Sequence, residues 1–325
     1  MRINLIICIV LALALIICPV AALGGDASDE EDIPETTAEP IATVGENEYI
    51  SVMSSSTGRI EKLGMREYII GCVAAEMAAS YHSEALKAQA VASYTYAKKT
   101  CEQNEKHKDS SLGNADISDS SETHQGYLNQ KQRKEKWEDK YEEYEAKISA
   151  AVDEVLGKYL VYDGETVLAV YHAISSGATQ SAKSLWGSDI PYLISVESPG
   201  DRLSPTYMST AKFSESEFKK LAKKCGANLS GKASEWLGET EKADSGYTVS
   251  AVFGDTKISA SKIRDEFGLR SLCFDVAYTG EEFVFTCRGY GHGVGMSQYG
   301  ADYMARQGFS WSEILNHYYP GTDIV

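Results

Sequence analysis

An unbroken apolar run from Leu5 to Leu23 is the feature that most constrains how this chain is organised. Its nineteen residues are enough for a helix to cross a bilayer. Arg2 supplies the positive charge typical of the cytoplasmic side. Val20-Ala21-Ala22 has the small-residue spacing of a signal-peptidase site. We therefore expect residues 1–23 to be a signal anchor or a cleaved signal peptide, and the rest of the chain to be extracytoplasmic, tethered to the membrane or secreted.

A polar segment, residues 24–48, follows the apolar run. It holds nine acidic residues and no Lys or Arg. Low hydrophobicity and charge of one sign cannot repay the entropy of ordering the chain, so we expect an acidic, flexible linker. Residues 49–325 remain as the folded body, which is long enough to bury a full-sized core.

The balance of charge excludes one class of partner. The chain has 31 Lys and Arg residues against 47 Asp and Glu residues, a formal net charge of −16. A nucleic-acid binder needs a surplus of cations to displace counterions from phosphates, so we expect no nucleic-acid partner. Hydrophobic residues make up 43% of the chain, which is typical of a globular protein and excludes disorder throughout.

Five cysteines lie beyond the apolar run: Cys72, Cys101, Cys225, Cys273 and Cys287. They are scattered and include no Cys-x-x-Cys pair, which is a poor pattern for a zinc site or a disulfide framework. Cys273 and Cys287 could face each other across a hairpin, but buried free thiols fit the sequence equally well. We therefore assign the cysteines no chemistry.

The body shows no internal repeat and alternates helical with extended patterns. Apolar and small residues at helical spacing predict helices over residues 66–79, 83–99 and 137–155. Asp163-Gly164 predicts a two-residue hairpin between strands at residues 159–162 and 166–173. Alternation predicts further strands at residues 247–253, 272–278 and 282–287, and a capping box at residues 214–217 predicts another helix start. Residues 101–130 are polar and aperiodic, which predicts an exposed loop.

These elements together indicate a fold class. Helical segments and meandering strands occur in separate blocks, which is typical of an α+β fold. We expect a single large domain of antiparallel strands with segregated helices and a substrate groove. The membrane segment and the acidic linker precede it.

Glu76 is a carboxylate among apolar and small residues near a helix end. Burial disfavours a carboxylate anion, so a glutamic acid in such surroundings could keep its proton near neutral pH and donate it as a general acid. A solvated position on the outer edge of the helix would fit the same composition.

A hydroxyl-rich turn follows the predicted strand that contains His172. Ser175 and Ser176 lie in this turn. A Ser/His nucleophile pair would need His172 and Ser175 to meet with attack geometry, which residues three apart along one chain rarely do. The remaining interpretations are polar groups that line a ligand groove and a turn whose hydroxyls bond their own backbone.

Residues 289–301 form a glycine-rich segment with His292 at its tip. Glycine at every second position lets the backbone approach a neighbour closely or adopt a positive φ. The spacing does not fit a dinucleotide-binding loop. Ser297 can cap a following helix at residues 298–306. A tight strand-to-helix connection with an inert histidine would fit as well.

Four stretches of this body resemble one family, that of stage II sporulation protein D (SpoIID/LytB). They are Glu76-Met77 with HSEALKAQAVA at residues 82–92, Ser175-Ser176-Gly177 with Trp186-Gly187 and PYL at residues 191–193, GHGVGMSQYGA at residues 291–301, and ILNHYYPGT at residues 314–322. The matches extend over residues 49–325. The third string is long enough to be specific.

The resemblance implies a peptidoglycan lytic transglycosylase that cuts glycan strands lacking stem peptides, as in wall remodelling at the septum during sporulation. The family's catalytic glutamate falls on Glu76. The resemblance and the polar patches together indicate eleven candidate substrate-binding residues: Lys87, Gln89, His172, Ser175, Ser176, Trp186, Tyr192, His292, Ser297, Gln298 and Tyr299.

The chain departs from the family pattern at two places. Tyr94 stands where many members have an arginine, which puts a sugar contact in doubt. Some members bind zinc through two cysteines and a histidine, but Ser118 and His124 stand here where thiolates would be. We expect no structural zinc and no other cofactor, although His107 and His124 leave a weak metal site open.

Two functions from different classes follow from the resemblance. The first is the lytic transglycosylase, whose partner is the peptidoglycan glycan strand. The second is a non-catalytic wall-binding protein that enhances an N-acetylmuramoyl-L-alanine amidase, in which Glu76 would be dispensable. In either case an amidase on the same wall and other septal membrane proteins are candidate partners.

Overall fold

Two adjacent helices form the centre of the larger hydrophobic core. The computed structural model describes residues 48–325, so the expectations for residues 1–23 and for nearly all of the linker lie outside the described residues. Helix α1 spans Met65–Glu76 and helix α2 spans Ser83–Lys106. Both begin and end close to the predicted bounds, except that α2 continues past residue 99. No helix within residues 48–325 has the length and apolarity needed to cross a membrane.

Small side chains let α2 pack closely against its neighbours. Ala85, Ala88 and Ala92 are fully buried on this helix, together with Leu86 and Val91. Alanine loses no side-chain entropy in a helix and allows close backbone approach, so an alanine-rich segment serves well as a central helix. The helix contacts α1 and a later helix, Tyr141–Val155, in the same core.

The charged segment before Gly157 forms two helices rather than the single helix predicted. Helix α3 spans Gln130–Trp137, and helix α4 spans Tyr141–Val155. A 3₁₀ turn, Glu138–Lys140, separates them. Glu138 has a positive φ of 48°, which a continuing helix does not allow. The prediction missed α3 because its residues are almost wholly polar.

Buried Arg133 explains how so polar a helix joins the core. Its side chain is fully buried and donates two hydrogen bonds to the Glu145 carboxylate, at 2.8 and 2.7 Å. Its Nη2 also lies 3.0 Å from Glu67 on α1. A buried arginine is tolerated only when its charge and donors are satisfied, and here they tie α1, α3 and α4 together.

Fourteen strands and five more helices complete the described part of the chain. The strands are β1 (Tyr49–Met53), β2 (Ile60–Gly64), β3 (Ile117–Ser118), β4 (Leu160–Tyr162), β5 (Glu165–Thr166), β6 (Tyr171–His172), β7 (Met208–Ser214), β8 (Leu237–Lys242), β9 (Thr248–Phe253), β10 (Thr256–Ser259), β11 (Cys273–Tyr278), β12 (Glu282–Arg288), β13 (Met296–Ser297) and β14 (Asp323–Ile324). The helices are α5 (Ala182–Trp186), α6 (Glu215–Lys224), α7 (Ala260–Phe267), α8 (Gln298–Arg306) and α9 (Trp311–Tyr318).

The strands form small, mostly antiparallel sheets. Their orders are β2-β1-β3, β10-β9-β8, β11-β12-β7 and β14-β4-β5, and β13 pairs with β6. Only β1–β3 and β6–β13 pair in parallel among the described strands. With the helices packed as separate blocks, the α+β class and the prevalence of antiparallel strands are confirmed.

A second hydrophobic cluster lies between α6, α7 and the strands from β7 to β12. Phe218 stacks on Phe283 with ring centroids 3.8 Å apart, and Phe253, Phe267 and Phe285 surround them. The capping box predicted at residues 214–217 is present at the start of α6. This cluster and the larger core belong to one compact unit.

The predicted hairpin at Asp163-Gly164 is confirmed, but the strand after it is broken. Tyr162 pairs with Glu165 across the turn, and both turn residues have a positive φ. Residues 166–173 then divide into β5 and β6, and β6 leaves the hairpin to pair with β13. The pairing of β6 with β13 places His172 beside Ser297. The strand before the hydroxyl-rich turn therefore lies next to the glycine-rich segment.

The polar segment at residues 101–130 is more ordered than predicted. It contains the end of α2, a 3₁₀ turn and β3, which extends the β1 sheet. Ile117 and Gln125 are buried. The expectation of an exposed loop was wrong here. The segment is held by a two-residue strand and by single buried side chains, and neither produces a periodic pattern in the sequence.

The five cysteines in the described residues are free thiols. In the β11–β12 register, Cys273 lies opposite Arg288, whereas Cys287 lies opposite Phe274. The two cysteines therefore point to opposite faces of the sheet and cannot bridge. Of the two alternatives, the free thiols are confirmed.

Candidate functional site

Glu76 is the last residue of α1, at the point where the chain leaves the helix. Met77 already has extended backbone angles, and its N–H bonds Val73 O at 2.9 Å. Residues 68–74 of the helix are buried, whereas Ala75 and Glu76 at its end are half-buried. A carboxyl group in this position lies at the edge of an apolar core and can still reach solvent or a ligand.

A loop residue fixes the orientation of this carboxyl group. The backbone N–H of Gly126 donates a hydrogen bond to Glu76 Oε1 at 2.7 Å. A Cβ at position 126 would lie 3.0 Å from Glu76 Oε1 and 3.2 Å from the Cβ of Ala75. The loop can therefore approach this closely because residue 126 is a glycine.

Opposing influences act on the pKa of Glu76. Burial raises this pKa, and it is the largest effect. The hydrogen bond from Gly126, the side-chain amide of Gln298 and the charge of Lys136 each lower it, and the net result is a raised pKa. Within residues 48–325, none of these influences comes from another carboxylate. The site therefore favours a protonated acid without pairing it with a second acid.

Lys136 on α3 has a double role at this end of α1. Its Nζ donates to the carbonyl of Ala74 at 2.8 Å, where a helix end leaves carbonyls unpaired. Burial lowers the pKa of Lys136, and the nearby Glu76 opposes this effect. A cation in this place stabilises the ionised form of Glu76 more than the protonated form.

A network of amides lies beneath Glu76. The Gln298 amide donates to Gln89 Oε1 at 3.3 Å, and the Gln89 amide donates to Ser93 Oγ at 3.0 Å. On the adjoining side, the Tyr171 hydroxyl donates to Gln125 Oε1 at 2.8 Å. The structure thus brings the sequence-predicted residues Gln89 and Gln298 to the Glu76 site. Both are buried, and their contact with substrate stays a prediction.

Ser175 and Ser297 meet at a buried acid, Asp201. Asp201 Oδ2 accepts a hydrogen bond from the Ser175 N–H at 2.9 Å, and its Oδ1 accepts one from the Ser297 hydroxyl at 2.8 Å. Burial raises the pKa of Asp201, and these hydrogen bonds oppose the effect. Ser297 also caps α8, as predicted, by accepting from Gly300 N at 3.2 Å. Both hydroxyls are occupied within the protein, and their role as substrate contacts stays a prediction.

The backbone of Val294 sets the protonation of two histidines. His172 Nδ1 lies 3.1 Å from Val294 O, and a carbonyl can only accept, so the proton is on Nδ1. His292 Nδ1 accepts from Val294 N at 3.0 Å. Burial lowers the pKa of His172 to about 3 and that of His292 to about 4, so both are neutral at pH 7. His172 Nε2 is buried and has no hydrogen-bond partner in the described part of the chain.

An exposed aromatic ring lies beside His292, and the turn after His172 contributes to an open cleft. Trp186 is 44% exposed, and its ring centroid lies 6.1 Å from that of His292. Ser176 contributes to a cleft of about 620 Å³. The Ser176 hydroxyl itself donates to Ala178 O at 3.4 Å, and the Ser175 hydroxyl accepts from Gly177 N. The hydroxyls of this turn therefore bond local backbone, as one of the two interpretations has it, and the lining of a ligand groove stays a prediction.

Three predicted substrate-binding residues have partners elsewhere in the fold. Lys87 Nζ lies 2.8 Å from Glu84 and 2.5 Å from Glu154. The Tyr192 hydroxyl accepts from Leu168 N at 2.9 Å. Tyr299 packs edge-on against Tyr81, with centroids 6.4 Å apart. Their assignment to substrate binding stays a prediction.

Tyr94, at the position of the family's arginine, donates a hydrogen bond to Glu48.

The open question of metal binding concerns His107 and His124. Both line a depression of about 300 Å³, and His124 Nδ1 is buried without a partner in residues 48–325. Ser118 is buried at the end of β3. No cluster of three or more His, Cys, Asp or Glu side chains in this described range is arranged to hold a metal ion. The expectation of no structural zinc stays a prediction.

Three residues that organise the site have no recognisable signature in the sequence. Gly126 and Lys136 are ordinary residues of a polar segment, and Asp201 is one acid among 47 Asp and Glu residues. Only an alignment of relatives could have drawn attention to them. The glycine in a polar loop and the lysine near a helix end have no local signature of their own.

Comparisons with known proteins agree with the motifs. The family model described as "Stage II sporulation protein" (SpoIID) matches residues 53–162, which include Glu76, Gly126 and Lys136. Two proteins named "Stage II sporulation protein D", from Bacillus amyloliquefaciens and Bacillus subtilis (strain 168), are 38% and 36% identical to the chain. Each match covers 85% of this chain and 78% of the relative.

A more distant relative has a different name. A Bacillus subtilis (strain 168) protein named "Amidase enhancer" is 26% identical over 78% of this chain and 40% of its own length. The two stronger matches extend over most of both sequences, and the resemblance expected from the motifs is confirmed. The chain belongs to the stage II sporulation protein D (SpoIID) family.

Proposed function

We propose that this protein is a peptidoglycan lytic transglycosylase. It acts outside the cytoplasm on glycan strands without stem peptides, and it cleaves the bond between N-acetylmuramic acid and N-acetylglucosamine. The observation that carries the proposal is the half-buried Glu76, whose pKa burial raises and whose Oε1 accepts from Gly126 N–H at 2.7 Å. A carboxyl group that is both protonated and oriented is what a general acid requires.

The proposed reaction uses this one carboxyl group twice. Protonated Glu76 first donates its proton to the oxygen of the scissile bond, which leaves with N-acetylglucosamine while an oxocarbenium-like centre develops at C1 of muramic acid. The Glu76 carboxylate then accepts the proton of the C6 hydroxyl, whose oxygen closes onto C1. The product is a 1,6-anhydro sugar, and Glu76 is protonated again. No water and no cofactor enters these steps.

A single acid is sufficient for this chemistry. Glycosidases that use water or a covalent intermediate need two carboxyl groups, one for the leaving group and one for the water or the sugar. An intramolecular hydroxyl replaces the second nucleophile. The absence of another carboxylate among the influences on Glu76, within residues 48–325, fits this requirement.

The groups around Glu76 support the second half of the reaction. When Glu76 has lost its proton, Gly126 N–H donates to the resulting anion, and the charge of Lys136 lies near it. Charge that develops in a site of low dielectric is stabilised by donors already in place. The same groups keep the pKa of Glu76 from rising so far that proton release becomes unfavourable.

The proposed setting is the cell wall during sporulation. The chain would be held at the outer face of the membrane, or secreted, with peptidoglycan glycan strands as its ligand. An amidase on the same wall would supply strands without stem peptides, and other septal membrane proteins are further candidate partners. The SpoIID family and the name of the relative "Amidase enhancer" support this setting.

The test compares the full-length protein with its Glu76→Gln variant on peptide-stripped cell walls. Mass spectrometry should detect 1,6-anhydromuramic acid ends from the wild type and none from the variant. Glu61→Gln is a matched control, because Glu61 is exposed on β2 and makes no ion pair in the described residues. It should leave the product unchanged. Equal product from wild type and Glu76→Gln would overturn the assignment of Glu76.

The second candidate function is a non-catalytic enhancer of an N-acetylmuramoyl-L-alanine amidase. The similarity to the protein named "Amidase enhancer" favours it. On this alternative neither protein yields 1,6-anhydro ends, whereas both the wild type and Glu76→Gln accelerate release of stem peptides by an added amidase. The two assays, run on the same preparations, separate the two functions.

A further inference from the structure

A polar cleft of about 620 Å³ is lined by residues from three parts of the chain, within residues 176–184, 195–202 and 243–245. On one side it is lined by the turn between β8 and β9, at Asp244 and Ser245, and on the other by α5 and the segment that follows β6. Serine hydroxyls are frequent on its walls, at Ser176, Ser181, Ser184, Ser195 and Ser245. Such a surface fits a polar ligand that is rich in hydroxyl and amide groups.

Arg202 lines this cleft and forms no ion pair with any residue that the structure describes. Among the residues that the structure describes, its guanidinium forms no ion pair within 4.0 Å, whereas the other cation of the cleft, Lys183, bonds Asp189 at 2.9 Å. The guanidinium lies against Gly177, where a Cβ would come within 2.3 Å of Arg202 Nε. Glycine at position 177, with a φ of +105°, therefore leaves room for it.

The cleft also contains acceptors for neutral groups. Glu197 and Asp244 line it and form no ion pair among the described side chains. Gln180, which is only 1% exposed and lies outside the lining of the cleft, supports the lining residue Ser184 by donating a hydrogen bond from its amide to Ser184 Oγ at 3.4 Å. A ligand with one anionic group and several hydroxyl or amide donors would satisfy both kinds of residue.

We propose that this cleft is a binding subsite for a carboxylate-bearing amino sugar, and that Arg202 holds the carboxylate. A planar guanidinium and a carboxylate match in two parallel hydrogen bonds, and the serines, Glu197 and Asp244 bond the sugar's hydroxyl and acetamido groups. The proposal rests on the proposed function. In that glycan the carboxylate belongs to the lactyl group of muramic acid, which is ionised only when no peptide is amide-linked to it. Arg202 is then a specificity residue that selects unsubstituted strands.

The fold connects this cleft to the Glu76 site. Arg202 directly follows Asp201, which bonds the Ser297 hydroxyl at 2.8 Å. Ser297 directly precedes Gln298, whose amide lowers the pKa of Glu76. Because Asp201 and Ser297 are both buried, a hydrogen bond inside the protein connects the residue beside Arg202 to the residue beside Gln298. A strand held at Arg202 would be held in a fixed relation to Glu76.

The test measures binding separately from cleavage, in the full-length Glu76→Gln protein. Calorimetry compares a muramic-acid-containing tetrasaccharide that has free lactyl carboxylates with the same sugar converted to N-methylamides. The acid form should bind about threefold more tightly than the amide form, as for an accessible charge-assisted pair. Adding Arg202→Gln should abolish this preference. Adding Arg59→Gln, a matched change at an exposed arginine outside the cleft, should retain it.

The outcomes separate the two proposals. Equal binding of the acid and amide sugars by the Glu76→Gln protein, or an unchanged preference after Arg202→Gln, would overturn the role of Arg202. Each variant's melting temperature is measured alongside, and Arg202→Lys, which retains the charge, should keep part of the preference. Because no cleavage is scored, a wild type without 1,6-anhydro products would remove the enzymatic proposal and leave the Arg202 result standing.

Discussion

The backbone N–H of Gly126 lies 2.7 Å from Oε1 of Glu76, so a loop residue fixes the carboxyl group at the end of α1. The two residues are fifty positions apart in the chain. The hydrogen bond favours the ionised form of Glu76, whereas burial favours the protonated form, and burial has the larger effect. An acid that must release and recover one proton benefits from this opposition.

Gly126→Ala should impair catalysis while leaving the fold intact. The added Cβ would lie 3.0 Å from Glu76 Oε1, so the loop must shift and the hydrogen bond must lengthen. Loss of one such bond, about 1–2 kcal/mol, corresponds to a fall in kcat of roughly tenfold, with KM little changed. Kinetics on peptide-stripped glycan measure both constants.

Gly64→Ala is the matched control for this change. A Cβ at Gly64 would have nothing within 4 Å, and its φ of −64° suits any residue. This variant should keep full activity. If Gly126→Ala is as active as Gly64→Ala, the hydrogen bond to Glu76 does not contribute to the reaction.

Lys136→Met should move the pH profile of the proposed activity. The charge of Lys136 lowers the pKa of Glu76, so its removal raises that pKa further. Glu76 must be protonated to act as an acid, and it then stays protonated to a higher pH. The alkaline limb of kcat/KM, which reports the free enzyme, should therefore shift to higher pH.

Lys136→Arg retains the charge and should leave the alkaline limb near its wild-type position. Lys136 also bonds Ala74 O at 2.8 Å, so a purely structural role is the competing explanation. In that case Lys136→Met would lower activity by the same factor at every pH. An unmoved limb in Lys136→Met would contradict the electrostatic role.

His172→Asn should make the fold less sensitive to acid. Burial lowers the pKa of His172 to about 3, whereas a histidine in the unfolded chain has a pKa of about 6.5. The unfolded state therefore gains a proton first, and stability that is present above pH 6.5 is lost as the pH falls towards about 3. Between pH 7 and pH 5 this histidine contributes a loss of about 2 kcal/mol, at about 1.4 kcal/mol per pH unit.

Urea unfolding at pH 7 and pH 5 measures this loss. Asparagine can still donate to Val294 O in place of Nδ1, but it does not titrate. The difference between the two pH values should shrink in His172→Asn and stay at the wild-type value in His107→Asn, whose side chain is exposed. The same difference in all three proteins would mean that folding does not lower the pKa of His172.

Much of the fold was predictable because its signals are local. The Asp163-Gly164 turn, the capping box at the start of α6 and the bounds of α1 depend on residues a few positions apart. The predictions failed where a single long-range contact decides the structure. The polar helix α3 is held in the core because Arg133 bonds Glu145 and Glu67. No periodic pattern in the sequence predicts this helix.

Some residues of the candidate site were also predictable from local sequence, and others were not. A carboxylate in an apolar helix and a long glycine-rich motif directed attention to Glu76 and Gln298 in the sequence. The structure adds that the Gln298 amide lowers the pKa of Glu76, and that Gly126 and Lys136 lower it as well. Ser175 and Ser297 were predicted at the site, yet their hydrogen bonds run to Asp201, which no motif indicated.

By itself, the sequence indicated the α+β class, the family and Glu76 as the candidate acid, because local periodicity, turn chemistry and motif strings are properties of short segments. Only the tertiary structure decided how the pKa of Glu76 shifts and which residues surround it. A pKa depends on burial and on charges within a few ångströms. Those neighbours come from residues 126, 136 and 298, which packing of the whole core brings together.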